Sequence, residues 1–80
     1  MKLNEALKLR LEQLLKERGI SLYAFTKDNG IPRSTITNLA NGHTKSPTLA
    51  TIYQIADALG ITVVEFLNCE LLKDRNVQVE

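Results

Sequence analysis

The 80-residue sequence contains one cysteine, Cys69, which excludes an intramolecular disulfide framework and suits a reducing compartment. Proline and glycine are scarce, with two and four residues, leaving room for several helices joined by short connections. No long apolar run occurs. The longest uncharged stretches are broken by Thr, Asn and Ser, so no membrane span is expected. The opening MKLNEALKLRLEQ carries charges throughout and has no separate apolar core, so a signal peptide is not expected and the cytoplasm is the expected location. A lone histidine, His43, and Cys69 cannot make a metal cluster. No phosphate-binding glycine loop or nucleophile motif is present. Neither an enzyme nor a resident cofactor or metal is expected.

Acid is missing from one long stretch. Net charge is only +1, weak evidence by itself for a nucleic-acid partner. Yet Asp28 and Asp57 bracket a run, Asn29 to Ala56, without a single Asp or Glu. That run holds Arg33 and Lys45, together with His43. All nine acidic residues lie on the flanking segments.

The residues that are present describe a single small domain of helices. With 44% hydrophobic and 24% charged residues, the composition is that of a globular protein and too apolar for disorder. Asn4 is a suitable N-cap, with Glu5 in the first turn. Leu7, Leu11, Leu14 and Leu15 follow at helical spacing before Gly19, which predicts a first helix from about Asn4 to Arg18. Ser21 should cap a second helix with Leu22, Phe25 and Ala24 inward, ended by Asn29-Gly30. Ile31 precedes a proline and is biased towards extended backbone, while Pro32 fits the start of a third helix over about Arg33 to Asn41. After the polar loop HTKSPT, Thr48 should cap a fourth helix that buries Leu49, Ile52, Ile55, Ala56 and Leu59 and stops at Gly60. Thr62 and Glu65 form a capping box for a fifth, with Val63, Phe66 and Leu67 inward. The expected fold is all-α, with residues 1–69 as the domain. Leu71 and Leu72 could lengthen the fifth helix, and Asn76 to Glu80 alternates as an edge strand does. Disorder and a dimer-pairing arm both stay open for residues 70–80.

The stretch from Ser21 to Gly42, SLYAFTKDNGIPRSTITNLANG, is the centre of this arrangement. Two short helices meet at a tight turn, and the second has a polar face of Arg33, Ser34, Thr37 and Asn38 beside an apolar one of Ile36, Leu39 and Ala40. With KERGIS before it and SPTLATIYQIADALGIT after it, the chain resembles the phage repressor and Cro type of helix-turn-helix protein, the prokaryotic and phage XRE family, from about Leu7 to Asn68. The resemblance implies that the third helix lies in the major groove. Base contacts would then come from Arg33, Ser34, Thr37 and Asn38. Arginine can pair with guanine and asparagine with adenine through two hydrogen bonds each. For Thr35, contact with DNA and half-buried packing stand side by side. Phosphate contacts would come from Asn41, Gly42, His43, Thr44 and Lys45, and from Ser21 and Tyr23 at the start of the second helix.

Four positions depart from the family pattern. Leu22 stands where many relatives have a phosphate-binding glutamine, and Thr26 where a small alanine is usual. Leu15 and Ala40 replace an arginine and a glutamate that often pair, so both charges vanish together. The implied function is a sequence-specific double-stranded-DNA-binding regulator of transcription, a repressor acting as a homodimer on a palindromic site. Val64, Leu71 and Leu72 are candidates for the dimer contact. The alternative is a protein-interaction module of the same fold, or an antitoxin whose partner is a toxin protein.

Overall fold

A stripe of leucines in the first helix frames the molecule. In the computed structural model, which describes residues 1–32, 34, 35 and 48–78, α1 runs Leu3–Arg18 and buries Ala6, Leu7, Leu11, Leu14 and Leu15. The helix starts at Leu3 rather than at an Asn4 cap. Lys2 takes the N-cap position with extended backbone and no side-chain cap, because it is held in a parallel bridge with Gln78. Glu5 in the first turn and Lys16 and Arg18 in the last match the helix dipole.

α2 (Leu22–Asn29) is capped by the Ser21 hydroxyl, which accepts the Ala24 N–H at 3.1 Å. α3 (Leu49–Leu59) is capped by Thr48. α4 (Val63–Leu67) carries the full Thr62–Glu65 capping box, with bonds of 3.0 and 3.1 Å. The predicted third helix, 33–41, lies mostly outside the described residues; Ser34 and Thr35 within it are helical. Two 3-10 turns follow α4, at Glu70–Leu72 and Asp74–Asn76. Among the described residues there is no strand, only the isolated bridge.

α1, α2 and α3 end on one repeated dipeptide. Gly19-Ile20, Gly30-Ile31 and Gly60-Ile61 each place glycine at positive φ, and each isoleucine N–H reaches back to the last turn: to Leu15 at 3.0 Å, Thr26 at 3.1 Å and Ala56 at 3.0 Å. This is the six-to-one bond of a Schellman stop. Ser21, Pro32 or Thr62 comes directly after, so each stop leads straight into a residue suited to open the next helix.

The core joins the α1 leucines to Phe25, Ile31, Ile52, Ile55, Ala56, Leu59 and Phe66, with Leu3, Ala58, Ile61, Val63 and Leu72 packed against it. The radius of gyration, 11.8 Å, is close to the value of about 12 Å for a tightly folded chain of this length. Three expected core residues prove substantially exposed: Leu22 (38%), Leu49 (63%) and Leu67 (39%). Each is the first or last residue of its helix. Thr26 is buried in their place, and its hydroxyl is satisfied within α2 by the Leu22 and Tyr23 carbonyls at 3.2 and 3.0 Å.

Two arginines of α1 clamp other helices. Arg10 donates from Nε to the Phe66 carbonyl at 2.7 Å and from Nη2 to the Glu65 carbonyl at 2.9 Å. Arg18 reaches the Leu59 carbonyl at 3.3 Å. Each therefore brings a cation to the carbonyl end of a helix, α4 and α3 respectively, where charge and dipole attract. The C-terminal segment also returns to α1. The Glu70–Leu72 turn packs on it, the Gln78 N–H donates to the Met1 carbonyl at 2.8 Å, and the Leu3 N–H donates to the Gln78 carbonyl at 2.9 Å.

Candidate nucleic-acid interface

The candidate surface is organised by the open end of α2 and by the turn that follows it. At the open end, Ser21 supplies both its hydroxyl to Ala24 and its carbonyl to Phe25, at 3.1 and 3.0 Å. The next N–H groups, of Leu22 and Tyr23, precede any intrahelical acceptor and stay at the helix mouth with the positive end of the dipole. The Ser21 hydroxyl only accepts in its cap bond, so its own hydrogen is left to donate outward. Ser21 and Tyr23 are both exposed, Tyr23 by 65%. These are the two residues expected from the sequence at a phosphate here, the N-cap and the second residue of α2.

At the other end, the Asn29 side-chain amide donates to the Phe25 carbonyl at 2.9 Å, tying the last turn. Gly30 adopts φ 64° and ψ 24°, a left-handed geometry that costs an ordinary L-residue about 1–2 kcal/mol. Ile31 then drops into the core at 4% exposure. The sequence marked this residue only as a turn element, yet it anchors the turn from beneath. Pro32 is exposed, and its carbonyl accepts the Thr35 N–H at 3.0 Å as helical backbone begins. Ser34 is exposed and Thr35 half-buried. The turn thus presents Ser34 to solvent while Ile31 holds it to the core.

The remaining expected contacts, Arg33, Thr37, Asn38, Asn41, Gly42, His43, Thr44 and Lys45, lie outside the described residues. Of the dimer candidates, Val64 is 76% exposed on α4, Leu71 is half-buried, and Leu72 packs against the core. One basic residue was missed by the sequence reading. The Lys27 ammonium sits 5.8 Å from the centroid of the Tyr23 ring, within reach of a cation–π attraction. The four-residue spacing of an aromatic and a lysine on one short helix was the signal that could have found it.

This geometry, an α2 helix stopped by Gly30 and a second helical start at Ser34, goes with a match to a DNA-binding family. Residues 10–72 match the Cro/C1-type HTH DNA-binding domain, and the chain belongs to that family. Among solved structures, it is similar to the crystal structure of the prophage Lp1 protein 11, with a TM-score of 0.81 at 25% identity, over 92% of this chain and 99% of that one. It is also similar to an HTH_3 family transcriptional regulator from Vibrio cholerae, with a TM-score of 0.66 at 30% identity, over 80% of this chain. The matched part is 35% of that regulator's length. No functionally curated protein matches the chain.

Proposed function

We propose that the chain is a sequence-specific regulator of transcription, a repressor that binds duplex DNA as a homodimer. The single observation that carries this reading is the family match over residues 10–72. It is supported by the open end of α2 and by the exposed Ser34, which lies within the acid-free run. The helix over about 33–41 enters the major groove. Arg33, Ser34, Thr37 and Asn38 meet base edges; Ser21, Tyr23, Thr35 and residues 41–45 meet the phosphate backbone. Two such helices in a dimer meet successive grooves about 34 Å apart. An exposed apolar Val64, with Leu71 nearby in sequence, supports a dimer contact at this end of the chain.

Selection from random duplexes at stated salt is the test. An enriched, roughly palindromic sequence is expected, and folded protein that enriches nothing at low salt would sink the reading. Within an enriched site, Arg33→Ala should relax preference at one position and cost about 1–3 kcal/mol there. Lys45→Ala should weaken all duplexes alike.

A further inference from the structure

We propose that Lys27 and Tyr23 act as one paired anchor for the DNA phosphate backbone on the outward face of α2. The proposal rests on the DNA-binding reading above and adds to it a residue and a division of labour. The two side chains are four residues apart on a helix of eight, which puts them on the same face. Both are exposed, and the ammonium lies 5.8 Å from the ring centroid. Among the described residues, Lys27 forms no ion pair, the one such pair being Arg75–Glu70. Asp28 is also exposed, but it follows Lys27 by about 100° around the helix and so faces a different direction.

Each partner then has a separate task. The ring attracts one side of the ammonium, limiting the lysine's freedom, while the remaining N–H donors point outward. A flexible cation is thereby turned into a positioned one before any phosphate arrives. Tyr23 stands in the first turn of α2 and is exposed, and its hydroxyl supplies a second donor from the helix face that carries Lys27. Leu22 itself has no polar side-chain atom. The ammonium supplies charge, and the hydroxyl supplies a directed hydrogen bond. A second anchor of this kind, on α2 rather than on the loop at 41–45, would fix the angle at which the following helix meets the groove.

The two roles leave different signatures in salt. Binding of the full chain to the selected duplex, and to a mixed-sequence duplex as reference, would be followed by fluorescence anisotropy over roughly 50–200 mM salt. Lys27→Met should flatten the slope of log affinity against log salt by about 0.9, one phosphate charge. Tyr23→Phe should weaken binding roughly two- to ten-fold, one hydrogen bond, and leave the slope nearly unchanged. Lys27→Arg should restore the slope. Both residues being exposed, thermal midpoints should stay at the wild-type value. If Lys27→Met leaves the slope intact while wild-type protein binds duplex, the anchor does not exist and the DNA-binding reading stands without it. A lowered midpoint with an unchanged slope likewise assigns the pair to stability and overturns the proposal. Absence of duplex binding by the wild-type protein overturns the underlying reading together with the anchor.

Discussion

α1 and α2 are adjacent in sequence and packed against each other, yet they dispose of charge in opposite ways. On α1, Arg10 and Arg18 turn back to the carbonyl ends of α4 and α3, so two formal positive charges are engaged in holding the molecule together. On α2, only Phe25 and Thr26 are buried, and Lys27 is directed outward over Tyr23. A net charge of +1 therefore understates the contrast between surfaces. What a polyanion would meet depends on which cations already have carbonyl partners, and the two arginines of α1 differ from Lys27 of α2 on that point.

The comparison can be broken at either helix. The largest effect is expected from Leu11→Ala, which removes a side chain only 2% exposed at the middle of the α1 stripe. A loss of about 3–5 kcal/mol should appear in urea unfolding, a large share of the whole stability of a domain of this size. Arg10→Met keeps much of the apolar stem but deletes the two carbonyl bonds to α4. It should cost about 1–2 kcal/mol of stability while leaving the salt slope of DNA binding by the folded protein unchanged, the reverse of the Lys27→Met outcome. If Arg10→Met flattens that slope, the division between internal and external cations is wrong. Gly30→Ala should cost about 1–2 kcal/mol in thermal or urea unfolding, because the added Cβ meets no neighbour within 4 Å and only the left-handed backbone opposes it. The smallest change belongs to Glu70→Gln. It breaks the 2.7 Å pair with Arg75, but that pair is exposed, so stability should move by no more than about 0.5 kcal/mol.

Local chemistry was the part of this fold most readable in the sequence. Ser21, Thr48 and the Thr62–Glu65 pair cap as expected, since a cap involves residues two or three apart whose partners are in the same stretch. The stops at Gly19, Gly30 and Gly60 are local for the same reason. Periodicity also located the inward faces of α1 and α3, but it reports angle around a helix and not depth along it. Leu22, Leu49 and Leu67 were misjudged; each is the first or last residue of its helix and is substantially exposed. The Arg10 and Arg18 clamps join residues 56 and 41 positions apart, and no window of sequence displays such a pairing. At the candidate interface, Ser21, Tyr23 and Ser34 are exposed. The Tyr23–Lys27 pairing went unseen because lysine on a short helix usually reads as a solvated charge.

The bridge between Lys2 and Gln78 turns the folded chain into a nearly closed ring. Contacts between residues so far apart form only once the packed helices bring the two segments together, so this pairing reports on the assembled fold rather than on either end. A donor and an acceptor dye attached at the two ends would therefore follow global unfolding through loss of energy transfer. Covalent joining of those ends should act mainly on the unfolded ensemble, where closing a loop of this length removes roughly 4 kcal/mol of chain freedom. The molecule is thus a natural subject for backbone cyclisation, with new ends opened elsewhere.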